Sequence, residues 1–225
     1  MTINIAIDGP VASGKSTIAK RLAEILNYVH IDTGAMYRAV AYKASVNHVD
    51  WSEEEPLVAM IDATRFDFDS HGVLFVDGVA VGSEIRSQEA SIGASLVSKH
   101  QKVRQRLVAI QQAITQSKGF ILDGRDIGTV VLPHAELKIF QIADVVERAK
   151  RRTAEYRAQG IETSFEDVLA DLTQRDANDM NRAHSPLVKA KDAIVLDTSH
   201  LTVDEAVAEI LPLVRERIRG METYD

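Results

Sequence analysis

Apolar residues along this chain keep two rhythms, and the rhythms alternate. Short, β-branched-rich runs at 3–7, 29–31, 120–122, 137–142 and 193–196 predict five buried strands. Between them the spacing becomes helical. Ile18, Leu22, Ile25 and Leu26 predict a helix over 15–26, and Val103, Leu107, Ile110 and Ile114 mark one face of helical sequence running to Lys118. Further helices are predicted over 35–45, 53–64, 144–159, from Phe165 to about Arg182, and over 202–219. Alternating strands and helices predict an α/β fold: a five-stranded, mostly parallel sheet with helices on both faces.

One stretch breaks the alternation. From Arg65 to Val81 the sequence gives RFDF, GVLFV and VAV, split by Ser70-His71-Gly72 and Asp77-Gly78. Short extended pieces joined by turn residues predict a small antiparallel meander, inserted outside the main sheet. The whole chain, 1–225, reads as a single domain, with a core at about 1–34 and 103–225 and an inserted region at about 35–102.

Composition narrows the picture only slightly. The chain has no cysteine, which excludes disulfides and thiol chemistry and leaves little basis for a structural zinc site. Its formal net charge of −7 argues against binding a nucleic acid polymer. No apolar run is long enough to span a membrane. The opening MTINIAIDGP has no basic segment and runs into a Gly-Pro turn, so it reads as a first strand and not as a signal peptide, which predicts a cytoplasmic protein.

The strongest chemical signal follows that strand. Gly9-Pro10-Val11-Ala12-Ser13-Gly14-Lys15-Ser16 fits G-x-x-x-x-G-K-[ST], and Thr17 follows. Glycines let the backbone curl so that its N–H groups face an anion at a helix N-terminus. Lys15 adds a charge for the β- and γ-phosphates, and the Ser16 hydroxyl can ligate Mg²⁺. The motif predicts binding of a nucleoside triphosphate, but switches and motors share it, so it does not by itself predict transfer. The strand at 120–122 ends in Asp123, an acid placed to hold the Mg²⁺ shell, with Arg125 within reach of a phosphate.

An acidic protein that handles phosphates must gather its cations locally, and three groups of residues offer them. In the stretch from Asp32 to Arg38 after the second strand, Thr33 and Arg38 should lie beside the P-loop, unless Tyr37 and Arg38 only decorate a wet helix face. Asp171, Arg175, Asp179 and Arg182 recur at four, four and three, one stripe on a helix that borders apolar Val168. That stripe reads either as a cleft wall or as surface ion pairs. Arg148, Arg151 and Arg152 precede Gly160 and read either as a lid over the nucleotide, at about 151–163, or as a solvated face. No Asn-Lys-x-Asp motif is present, no histidine has metal-ligand spacing, and Trp51 and the tyrosines form no stacking platform.

Taken together, IAIDGPVASGKST, HIDTGAMYRA, the meander followed by Ser83-Glu84-Ile85-Arg86, LDGRDIGTVV, RDANDMNRAHSPL and VLDTSHLTVDEAV span nearly the whole chain. In this combination and order the sequence resembles the bacterial cytidylate kinases, a branch of the nucleoside-monophosphate kinases. The resemblance implies a P-loop kinase with an enlarged monophosphate-binding insertion and a short lid, which uses Mg²⁺ to pass the γ-phosphate of ATP to CMP and dCMP. It implies that Gly9 to Thr17, with Arg151, hold ATP, and that Arg38, Arg125 and Arg182 grip the acceptor phosphate. Arg175 and Asp179 would lie near the acceptor ribose, and Ser95, Arg104 and Asp126 would read the cytosine edge. Lys15, Asp123, Arg125 and Arg182 would carry catalysis.

Adenylate-type relatives usually carry Gly-Phe-Pro-Arg after the equivalent aspartate, whereas this chain has Gly124-Arg125-Asp126. Ser16 replaces a glycine found in some members. A cleft that opens and closes favours a monomer. Two other readings stay open: a P-loop kinase for another small acceptor, such as shikimate or dephospho-coenzyme A, and a non-catalytic ATP-dependent regulator. The first would not need the meander or the Ser95, Arg104 and Asp126 set, and the intact Lys15, Ser16 and Asp123 speak against the second.

Overall fold

Alternation along the first strand sets the layers. In β1 (Ile5–Asp8), Ile5 and Ile7 enter one apolar cluster and Ala6 enters another on the opposite face. The computed structural model describes residues 1–222. Its main sheet joins β1 to β2 (Val29–Asp32), β6 (Phe120–Gly124), β7 (Leu137–Ile142) and β8 (Ile194–Asp197) in the order β2-β6-β1-β7-β8, all parallel. Every strand therefore ends at the same edge, where α/β sheets bind ligands.

The Ile5 face is covered by α1 (Lys15–Leu26) and α8 (Val203–Glu222), through Ile18, Leu22, Val207 and Ile210. The Ala6 face packs with Ile31, Leu122 and Ile127, backed by Val108 and Ile114 of α5 (Gln101–Ile114). Fully buried side chains such as Ile5, Ile7 and Leu22 would each cost about 2–5 kcal/mol on truncation to alanine.

The predicted meander forms its own antiparallel sheet of β3 (Phe66–Phe68), β4 (Leu74–Val76) and β5 (Val79–Ala80). It is fastened to the rest. Leu74 enters a cluster built by α2 (Thr33–Val46), α3 (Glu54–Asp62), α4 (Gln88–Val97) and α5, with Met36, Leu57, Val97 and Leu107. Gly72, at φ +76°, turns so close to β2 that a Cβ there would lie 2.0 Å from the His30 carbonyl oxygen. The last helices are α6 (Val145–Ala158) and α7 (Phe165–Met180), packed side by side around Ala149, Val168 and Leu172.

Several boundaries differ from expectation. α2 starts at Thr33 and not Ala35, because the Asp32 carboxylate accepts from Ala35 N (3.1 Å) and caps the helix in spite of Gly34. α7 ends at Met180, so Arg182 lies beyond the Asn181 cap and is not on the helical stripe of Asp171, Arg175 and Asp179. Of the segment 151–163 expected as a lid, residues 151–158 continue α6, and only the stretch after Ala158 leaves the helix. Between β6 and β7, residues Ile127–Val131 form a π-helical turn that the sequence pattern gave no sign of.

Candidate active site at the strand ends

The loop after β1 wraps back into α1, with Ala12 (φ +56°) and Gly14 (φ +88°) in the left-handed region. Gly9 passes so near β7 that a Cβ would sit 2.3 Å from the Gln141 carbonyl oxygen. Buried Gln141 then donates through Nε2 to Ser13 O (2.5 Å) and to Thr198 Oγ1 (2.9 Å), pinning the loop to the sheet. The Lys15 ammonium donates to Pro10 O (2.6 Å) and contacts Ser13 Oγ (3.3 Å) within the loop's own curl. Burial, and then the charge of Arg125, push Lys15 down to about 7. Polyanionic phosphates would restore its charge.

Asp123 ends β6 beside this loop, with both carboxylate oxygens engaged. Oδ2 accepts from Ser16 Oγ (2.7 Å), and Oδ1 lies 2.7 Å from His30 Nε2. Burial alone would raise Asp123, but His30, Lys15 and Ser16 outweigh it and hold the carboxyl below its usual range. His30 was not among the residues expected from sequence. Its place follows from register: His30 pairs with Ile121 across β2 and β6, so its side chain shares a face with Asp123 two residues on.

Ser16 and Asp123 are hard oxygen donors at hydrogen-bond distance beside Lys15, a set that suits Mg²⁺ held partly by phosphate and water. No cluster of three or more His, Cys, Asp or Glu residues able to cage a metal exists among the described residues.

A second set of charges lies next to this one. Asp126 pairs with Arg104, both almost fully buried, and the Arg104 guanidinium sits 5.4 Å from the Tyr37 ring centre. Burial pushes the Tyr37 hydroxyl up to about 12, so it stays neutral. Arg125 Nε donates to Asp179 Oδ2 (2.6 Å), and Arg182 Nη1 lies 3.8 Å from Asp179 Oδ1. Arg104, Arg125, Asp126, Asp179 and Arg182 all act electrostatically on one another or on Lys15 and Tyr37. Arg182 Nε and Nη2 and Arg104 Nε are buried without hydrogen-bond partners. Orphaned guanidinium donors are costly, and an anion with several acceptor oxygens would satisfy them.

Asp8 was also missed. Its carboxylate accepts from Ile127 N and Gly128 N, both at 2.7 Å, and so fixes the turn that follows Asp126. Burial raises Asp8 to about 6 against those two bonds. The one available signal was an acid immediately before the P-loop glycine.

Other expected site residues lie differently. Thr33 Oγ1 donates to Asp123 O (2.7 Å), tying α2 to β6. Arg38 Nη2 pairs with Asp32 Oδ2 (2.6 Å) and not with the Asp179 group. Arg175 pairs with Asp171 (3.5 Å) along α7. Ser95 stands on α4 and accepts through its carbonyl from Ser98 Oγ (3.1 Å); no hydrogen bond joins it to Arg104 or Asp126. On α6, Arg151 keeps a buried Nη2 without a partner, whereas Arg152 stacks on Tyr156 (4.7 Å) and pairs with Glu155. Arg148 is a correction to the lid reading. It is buried and donates to Val11 O and Ala143 O, both at 2.9 Å.

The chain is 50% identical over 225 residues to a cytidylate kinase from Enterococcus faecalis, covering 99% of each protein. It is 48% identical to one from Anoxybacillus flavithermus, covering 97% of this chain and 98% of that protein. Among solved structures, a shikimate kinase from Bacteroides thetaiotaomicron superposes with a TM-score of 0.50 at 10% identity, over 96% of this chain and 99% of that one, a likeness of fold alone. The family model for cytidylate kinase matches residues 5–216, so this chain belongs to the cytidylate kinase family.

Proposed function

We propose that this enzyme transfers the γ-phosphate of ATP to CMP, and to dCMP, releasing ADP and the corresponding diphosphate. The observation that carries the reading is the pairing of a complete P-loop with a second buried cationic group, where Arg182 and Arg104 hold guanidinium nitrogens without partners beside Asp126. The family relationship supports the choice of acceptor.

In this reading an oxygen of the acceptor phosphate attacks the γ-phosphorus in line, the bond to the β–γ bridging oxygen breaks, and ADP leaves. The nucleophile is already anionic, so no general base is needed. Gly9 to Thr17 cradle the donor phosphates, Lys15 follows the charge on the transferred group, and Arg151 supplies a further cation from α6. Arg125 and Arg182 hold the acceptor phosphate and neutralise charge in the transition state. Arg38 would join them by leaving Asp32. Arg175 and Asp179 lie on the ribose side, with Thr33, Tyr37 and Ser95 lining the acceptor pocket.

Asp126, held by Arg104, would accept from the exocyclic amine of cytosine, where uracil presents an oxygen. Ser16 and Asp123 would hold Mg²⁺, whose charge would offset that of the β- and γ-oxygens when bound. The stretch between α6 and α7 would close over the donor as a lid. The protein is expected to act as a cytoplasmic monomer; no helix among the described residues is long and apolar enough to cross a membrane.

A coupled assay for ADP release tests the reaction directly: release is expected with CMP and not with ATP alone. His30→Ala should weaken the Mg²⁺ dependence of nucleotide binding by about ten- to a hundredfold, because it frees Asp123 Oδ1 from the contact that orients the carboxylate. Titration of Mg²⁺ against bound fluorescent ADP would show it, and an unchanged midpoint would remove His30 from this role.

A further inference from the structure

Val11, at the tip of the P-loop, has both its peptide groups tied to side chains from elsewhere. Its N–H donates to Asp176 Oδ1 of α7 (3.2 Å), and its carbonyl accepts from Arg148 Nη1 of α6 (2.9 Å). Arg148 Nη2 closes the ring on Asp176 Oδ2 (2.7 Å), and its Nε is held by Ala143 O (2.9 Å). Arg148 is 4% exposed and Asp176 7%. Val11 and Ala12 also pack against the apolar seam between α6 and α7. A buried ion pair is a poor way to gain stability, since desolvation offsets most of its attraction. A pair that binds both peptide groups of one loop residue, with Arg148 itself anchored on Ala143 O, makes physical sense as a device for placing that loop.

The same helix faces the second charge set. Asp179 lies three residues after Asp176, close to one turn along α7, and holds Arg125 and Arg182. We propose that Asp176 and Arg148 are positioning residues that lock the P-loop tip to the α6–α7 pair. Through the turn of α7 from Asp176 to Asp179 they link donor-phosphate binding to the acceptor arginines. Phosphates drawn into the loop shift Val11, Val11 carries Asp176, and a rigid helical turn passes the shift to Asp179. Bound donor thereby raises acceptor affinity, and by reciprocity bound acceptor raises donor affinity.

The inference rests on the proposed reaction, and its test separates the two. ADP and CMP dissociation constants are measured by calorimetry, each alone and with the other nucleotide saturating, for the wild type, Asp176→Ala, Asp176→Asn and Arg148→Lys. Kinetic constants for ATP and CMP accompany them. Asp176→Ala should raise the KM for ATP about tenfold, leave CMP binding to the free enzyme within twofold, and abolish the mutual enhancement. Asp176→Asn keeps an acceptor for Val11 N and should lose less; both it and Arg148→Lys keep the assay informative should the alanine variant fold poorly. Variants with lowered thermal stability but wild-type KM for ATP and wild-type enhancement would overturn the proposal and leave the pair merely structural. So would a raised KM for ATP with the enhancement intact. A wild-type enzyme inactive towards CMP would instead overturn the proposed reaction.

Discussion

Lys15→Ala is expected to lower phosphoryl transfer by about 10²–10³-fold while leaving the fold intact, the scale seen when one preorganised charge donor is removed from a transition state. The loss should fall mainly on kcat, because the loop amides still hold the phosphates and the missing charge matters most as negative charge redistributes. The variant should not unfold. Lys15 is held near 7 against an ordinary value of 10.5, so the unfolded chain binds the proton more tightly than the native one. The Lys15 contribution to stability therefore rises with pH between about 7 and 10.5, and below that window its buried charge opposes folding. Alanine removes the burden, and thermal unfolding at pH 6 should show a midpoint no lower than the wild type's. Retention of full activity would remove Lys15 from catalysis.

Asp126→Asn is the second large effect. In the wild type the carboxylate can only accept, and a uracil oxygen placed against it is repelled. The amide of asparagine can turn its NH₂ towards that oxygen. Preference for CMP over UMP, read as the ratio of kcat/KM, should shrink by about 10–100-fold, corresponding to about 1–3 kcal/mol for one base contact. Asparagine is the right probe because alanine would strand Arg104, which is 4% exposed and pairs with Asp126. A buried cation left alone costs about 3–5 kcal/mol and would confuse specificity with unfolding. An unchanged CMP/UMP ratio in Asp126→Asn would take Asp126 out of base reading.

The parts of the site that sequence made legible are those built from adjacent residues. The P-loop needs a strand, a glycine-permissive curl and a helix start in one stretch, and Gly9 to Thr17 supply all three. The five strands and the meander were visible because apolar period and turn residues are local signals; even the separation of β3, β4 and β5 from the main sheet followed from the short extended runs between Arg65 and Val81. Long-range contacts were not legible. His30 meets Asp123 only through the β2–β6 register. Asp8 meets Ile127 and Gly128 only once β1 lies beside β6. Arg148 read as one of three neighbouring arginines, yet the turns of α6 send it inward to Val11 and leave Arg152 against Tyr156.

The stripe on α7 was partly misleading for a related reason. A regular charge spacing continues past the point where the backbone stops being helical, so Arg182 was counted on a face it has left. It still reaches Asp179, from the loop side, with two guanidinium nitrogens buried and unpaired. The proposed acceptor site is thus drawn from the turn after β6, α5, α7 and the chain after α7, and its parts come together only through the sheet that carries β6 beside β1.

Transfer to CMP is tested most directly by an acceptor panel with purified protein, ATP and Mg²⁺, following ADP release with CMP, dCMP, UMP, AMP and shikimate in turn. The highest kcat/KM is expected with CMP, with activity towards dCMP, a much weaker response to UMP and AMP, and none with shikimate. A preference for AMP or shikimate over CMP, or no transfer to any of the five, would contradict it.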